Sequence, residues 1–325
     1  MKDKLKIGIF CSSSPLSRRP KETDYQFLKS KGLGIYEHPQ ARIRNNHFAG
    51  TIQERVDAIH SLLKDDSIDI LMAFWGGANT NQILPYLDFE LFKKYPKPIV
   101  GFSDTTALLL AVNKLSGIKT YMGPAGITFD KPNTFEYSFD YFKKVIIDQE
   151  KEVVIEDSST YADDLYFLNP DPTKREIKQN IGRKVYKHGK AEGEIIAANL
   201  QTLLVLAGTK YFPDLKDKIL FLEESEEENV SMIHRFFTHL SQVIDLNILK
   251  GICIGRFAVQ SGFKEDNTEE MIYDDVFKYL NIPVVYNLDF GHTDPLFTIP
   301  IGAKAVIDTQ AGLLKFLQDK VIITN

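Results

Sequence analysis

Two runs in the first third of the chain, IDILMAF (68–74) and KPIVGF (97–102), are apolar at nearly every position and end against glycines. A strand with one wet face alternates apolar and polar residues, so runs of this kind belong to a sheet covered on both faces. Helical patterns are interleaved with them. Thr51 and Glu54 have the spacing of a capping box, and Ile52, Val56, Ile59 and Leu63 then recur at helical intervals. TTALLLAVNKL (105–115) follows the second run, and an earlier apolar stretch, Leu5–Phe10, reads as a first buried strand. Strand, helix, strand, helix with short joints implies a parallel sheet flanked by helices. A further amphipathic helix over 134–147 closes this N-terminal α/β domain, placed at 1–150.

From Asp157 to about Gly182 the periodicity dissolves into prolines, Asp pairs and aromatics, and 151–185 reads as a linker or long loop. Short apolar runs then resume: GEIIA (193–197), KILFLE (218–223), GICIGRF (251–257), PVVYNL (283–288) and KAVID (304–308). Helices are expected around 228–243 and 267–279. The second unit, 186–325, is expected to be a β-rich α+β domain. Two units also suit the length, since 325 residues exceed what one hydrophobic core usually holds.

Composition excludes several classes. A net charge of −5 and short, interrupted basic stretches such as Arg183–Lys190 argue against a nucleic-acid surface. Two distant cysteines, Cys11 and Cys253, give neither a disulfide framework nor a zinc motif. No apolar run approaches the roughly 20 residues of a membrane span, and the N-terminal run is too short for a signal peptide. The expected location is the cytoplasm.

Ser103 lies where KPIVGF meets the following helix, with its hydroxyl among free backbone N–H groups. Gly-Phe-Ser-Asp resembles the start of a nucleophile elbow, although Thr105 stands where the final glycine belongs; a helix N-cap accounts for the same four residues. Gly76 and Gly77 end the other buried run. There a backbone N–H of Gly77, with that of Asp104, is placed to form an oxyanion hole beside Ser103. Among the seven histidines, His292 in DFGHTDP occupies a turn after a buried strand, whereas His60, His234 and His239 fall in helical segments. A carboxylate to orient it is available at the end of KILFLE, where spacing alone leaves Glu223 and Glu224 equivalent.

Taken in order, HFAGTIQERVDAIHSLL, WGGANTNQILPYLD, GFSDTTALLLAV, ILFLEESEE and DFGHTDPLFTIPIG resemble the LD-carboxypeptidases of peptidoglycan recycling and the microcin-C-immunity peptidases. The resemblance implies a Ser-Glu-His triad of Ser103, Glu223 and His292, with Gly77 and Asp104 as oxyanion-hole donors. It is this resemblance that selects Glu223 over Glu224. Trp75 before the glycines, and Ala78-Asn79 after them, lean toward the immunity branch. That branch implies a substrate-binding set of Gly76, Trp75, Asn199 (in AANL, where the family has GGNL) and Tyr166, with Tyr161 and Phe167 as further stacking residues. It also implies a homodimer, and a peptide or peptide-nucleotide substrate cleaved without metal or cofactor. Three other readings stand beside it: D-Ala release from peptidoglycan tetrapeptides, an α/β-hydrolase esterase built on a single sheet, and a non-catalytic peptide-nucleotide binder.

Overall fold

The computed structural model describes residues 4–16, 25–131, 134–164 and 174–320. Its first sheet contains β1 (Lys6–Phe10), β2 (Gly34–Glu37), β3 (Ile70–Ala73), β4 (Ile99–Gly101) and β5 (Thr120–Met122), all parallel, in the spatial order 2-1-3-4-5. The helices of this half are α1 (Gln26–Ser30), α2 (Ile52–Lys64), α3 (Phe89–Lys94), α4 (Thr106–Ser116), α5 (Gly126–Phe129) and α6 (Glu136–Phe142). Thr51 caps α2 through the capping box, its hydroxyl accepting from Glu54 N while Glu54 accepts from Thr51 N. The helix expected over 134–147 is α6 followed by a π-helical turn, Lys143–Ile147. In a sheet of this order, ligands bind beyond the carboxyl ends of the strands where β1 and β3 diverge.

The second half begins with β6 (Glu152–Val154), followed by a two-residue ladder of β7 (Thr160–Tyr161) and β8 (Lys178–Gln179). It continues with β9 (Lys184–Lys187), β10 (Lys190–Asn199), α7 (Leu200–Val205), β11 (Lys218–Glu223), α8 (Val230–Val243), β12 (Gly251–Gly255), α9 (Glu269–Val276) and β13 (Val284–Leu288). The last strands are β14 (Ile299–Ile301), β15 (Lys304–Asp308) and β16 (Leu313–Leu317). Eight of these form one mixed sheet, 6-16-15-10-11-12-13-9, in which β10 to β13 run parallel. Their carboxyl ends carry Asn199, Glu223, Gly255 and Leu288 side by side. Two sheets, rather than one, separate this fold from a single-sheet hydrolase.

β14 does not join its neighbours in sequence. It crosses to the first sheet and pairs antiparallel with β5, as Ile299–Met122, Pro300–Tyr121 and Ile301–Thr120. Pro300 is tolerated because β14 is an edge strand with one side free of ladder bonds. The chain re-enters the second sheet at once through Gly302 (φ +87°), with Ile195 N donating to Ala303 O and Gly302 N to Ile195 O. The segment bearing His292 is thus strung between the two sheets. α4 supplies a second tie: it packs on β10 and α7, and Asn199 N donates to Thr106 Oγ1 at 3.2 Å.

Beneath the end of β11 the core is aromatic. Phe221 is fully buried, with ring centroids of Phe290 and Phe316 at 5.8 and 5.7 Å, and Phe297 packs on both of those. Truncating Phe221 removes a large buried surface and leaves a cavity that rings cannot refill. Phe221→Ala is therefore expected to lower the unfolding free energy by about 3–5 kcal/mol in chemical denaturation. A loss below about 1 kcal/mol would show that this cluster does not hold the end of β11.

Candidate active site

Beyond β4 the chain turns sharply. Phe102 is extended, Ser103 has φ +59°, and Ser103–Thr105 form a 3-10 turn that leads into α4. A left-handed conformation costs a non-glycine residue about 1–2 kcal/mol, so neighbours must hold it. Thr80 N donates to Asp104 Oδ2 at 2.7 Å, which pins the turn to the loop after β3. That loop lies flat against Ser103: a Cβ on Gly76 would stand 2.9 Å from Asp104 N and 3.0 Å from Ser103 Oγ. Gly77, at φ +140°, has no room either, since its Cβ would meet the hydroxyls of Ser13 and Ser14 at 2.5 and 2.4 Å.

The loop after β1 completes this wall. Ser13 Oγ accepts from Ala78 N (3.1 Å) and Asn79 N (2.9 Å), and Trp75 Nε1 donates to Ser14 O (2.9 Å). Arg55 of α2 is buried behind both loops. Its Nη1 donates to Ser12 O at 3.0 Å and its Nη2 to Gln82 Oε1 at 2.9 Å. Neither Ser13 nor Arg55 stands out in the sequence. The run CSSSP after a buried strand is the one signal that a cap for the facing loop was present there.

Across from Ser103, Glu223 ends β11 and is 1% exposed. Its Oε2 lies 2.5 Å from His292 Nδ1. With Nδ1 committed to the carboxylate, Nε2 is the free acceptor of the neutral ring. Two glycines make the space: a Cβ on Gly291 (φ +104°) would stand 2.8 Å from Glu223 Oε2, and one on Gly255 would stand 2.4 Å from Phe290 O. The imidazole meets Phe102, the residue preceding Ser103, edge to face at 5.0 Å. Burial works against charge on His292, but Glu223, with Glu226 and Glu224 behind it, outweighs burial and pulls the ring up to about 9 from its ordinary 6.5. Glu223 Oε1 is buried and accepts no hydrogen bond from the described residues.

Glu224, equivalent to Glu223 by spacing, points elsewhere. It accepts from Asn199 Nδ2 (2.9 Å), Gln201 N (2.9 Å) and Ser225 N (2.8 Å). Burial, and then the neighbouring Glu223 charge, push it up to about 7. Asn199 is buried, caps α7 by accepting from Thr202 N and Oγ1, and is the register partner of Glu223. Gly76, Gly77, Asp104 and Ser103 come together as one wall, with Trp75 half-buried at its edge. Tyr161 lies over the Arg256 guanidinium, 4.3 Å from ring centre to Cζ. Tyr166 and Phe167 lie outside the described residues. Among the described residues no group of three or more His, Cys, Asp or Glu is placed to hold a metal, and no helix is long and apolar enough to cross a membrane.

Comparison with known proteins covers nearly the whole chain. Residues 7–123 match the model of the LD-carboxypeptidase N-terminal domain, and residues 192–307 that of the LD-carboxypeptidase C-terminal domain. The putative carboxypeptidase YocD of Bacillus subtilis is 34% identical over 95% of this chain and 94% of its own length. The microcin C7 self-immunity protein MccF of Escherichia coli is 29% identical over 93% of this chain and 90% of its own. Its structure in complex with aspartyl sulfamoyl adenosine superposes with a TM-score of 0.88 at 26% identity, covering 98% and 97% of the two chains. The crystal structure of an MccF-like protein from Bacillus anthracis gives 0.91 at 31% identity, covering 98% of each. With both of its halves matched, and relatives aligned from end to end, this chain belongs to the LD-carboxypeptidase family of S66 peptidases.

Proposed function

We propose that this chain is a serine carboxypeptidase or amidase in which Ser103 attacks, His292 is the base and Glu223 orients it. The observation that carries the reading is the Glu223 Oε2–His292 Nδ1 contact, 2.5 Å long, with the same imidazole against the residue that precedes a left-handed Ser103. His292 Nε2 takes the hydroxyl proton as Ser103 Oγ adds to an amide carbonyl. The N–H groups of Gly77 and Asp104 hold the oxyanion. His292 then protonates the leaving amine, and water, deprotonated by the same ring, resolves the acyl-enzyme. Glu223 stabilises the imidazolium in both halves.

The substrate we favour joins a C-terminal aminoacyl group to a nucleotide-like leaving group, in line with the aspartyl sulfamoyl adenosine bound by MccF. The enzyme would act as a cytoplasmic homodimer. One observation favours a second reading, D-Ala release from a peptidoglycan tetrapeptide. The murein tetrapeptide carboxypeptidase of Pseudomonas aeruginosa is 23% identical over 93% of this chain. Mass-spectrometric turnover of both substrates by the full chain separates the two. Ser103→Ala is expected to lose at least about 10³-fold in rate on whichever is cleaved. Unchanged amide cleavage by Ser103→Ala would sink the serine mechanism.

The pH profile provides an independent check. A base works when neutral, and His292 is drawn upward to about 9, so kcat/KM is expected to climb from pH 6.5 toward pH 9. Glu223→Gln removes the charge that raises the ring and leaves burial, which lowers it. The rising limb should then shift to lower pH while the maximal rate falls by about 10³-fold or more. A limb that stays in place in Glu223→Gln would separate the carboxylate from the titrating group.

A further inference from the structure

The segment between the two halves grips the His292 turn from both ends. Upstream of His292, Asp289 accepts from Ser158 N (2.8 Å), Asn180 Nδ2 (3.2 Å) and Arg256 Nη2 (2.7 Å). Downstream, Asp294 accepts from Lys131 Nζ (2.8 Å) and Arg175 Nη2 (3.0 Å). The Asp294 backbone also pairs with Ala162 in both directions, at 2.8 and 2.9 Å. Ser158, Ala162, Arg175 and Asn180 all come from the stretch whose sequence has no period.

That stretch is braced internally. Beside the β7–β8 ladder, Lys178 Nζ pairs with Asp163 and Arg175 Nε with Asp164, each at 2.7 Å. The two carboxylates on the turn are 2% and 4% exposed, and the Arg175 side chain 1%. Buried ions of this kind hold geometry because breaking one pair strands the other charge. The turn itself holds Gly291 at φ +104° and is closed by Phe297 N donating to Asp289 O at 2.9 Å, so these contacts add to a turn already closed at its base.

The geometry points to residues 158–164 and 174–180 as a clasp that positions the base, with Arg175 as its principal positioning residue. The clasp rests on the reading of His292 as base and extends it. Without it the turn keeps its place in the chain but the imidazole loses its fixed orientation between Glu223 and Phe102. Misplacement by about 1 Å is enough to cost about 10²-fold in rate.

The test is covalent labelling of Ser103 in the full chain by a fluorophosphonate, which needs the base but no knowledge of the substrate. The wild-type chain should label and Ser103→Ala should not; a wild-type chain that does not label overturns the hydrolase reading and the clasp with it. Given labelling, Arg175→Met should lower kinact by about 10- to 100-fold while KI moves by less than about 3-fold. Arg175→Lys, which keeps a cation toward Asp294, should recover most of that rate. Wild-type kinact in Arg175→Met overturns the clasp alone. So does a loss that Lys fails to rescue and that follows the melting temperature. Asn180→Ala, on the other arm, gives the same reading if Arg175→Met does not fold: a fall in kinact supports the clasp and an unchanged value overturns it.

Discussion

The site depends on one piece of chain serving two sheets. Between β13 and β15 the backbone leaves the second sheet, pairs with β5 at the edge of the first, and returns within a few residues. The two halves contribute different chemistry to the site, Ser103 from the first sheet and Glu223 from the second. His292, strung between them, keeps its contacts with Phe102 and Glu223 only if the sheets cannot slide. The β14–β5 ladder and the packing of α4 on β10 and α7 supply that restraint. Backbone ladders suit the task, because their register is set in steps of a residue and does not drift.

Within that frame the geometry is governed by missing side chains and by a buried charge. Gly76, Gly255 and Gly291 stand where any Cβ would strike Ser103 or Asp104, the Phe290 carbonyl, or Glu223. The close approach of the Ser103 wall, Glu223 and His292 is therefore written into three positions that contribute no functional group. Glu223 is the opposite case, a carboxylate with one oxygen on His292 and the other without a hydrogen bond from the described residues. Such a carboxylate depends on its imidazole partner for compensation, and the raised proton affinity of His292 expresses the same dependence from the other side.

Much of this was legible in the residues. The runs 68–74 and 97–102 became β3 and β4, the Thr51 capping box formed as spaced, and KILFLE became β11 without a change of boundary. Ser103 was visible as a serine at a strand–helix joint, although only the backbone distinguishes its left-handed turn from a plain N-cap. β14 was not legible: Ile-Pro-Ile has neither length nor period, and its partner lies far back in the chain. The clasp was hidden for a related reason. Ser158, Arg175 and Asn180 carry no apolar pattern, and what orders them is charge and hydrogen bonding to Asp289 and Asp294, which leaves no periodic trace. The choice between Glu223 and Glu224 came from resemblance; in the structure Glu223 lies against His292 and Glu224 against Asn199.

The crossing of β14 also bears on whether the protein can be divided. A cut near residue 150 looks natural from the sequence and spares both matched family segments. The amino-terminal fragment would nevertheless end with β5 as an open edge, its N–H and C=O groups ready to recruit any extended chain nearby. The other fragment would carry β14 with nothing to pair against. Each half in this sense closes an edge that the other would leave open.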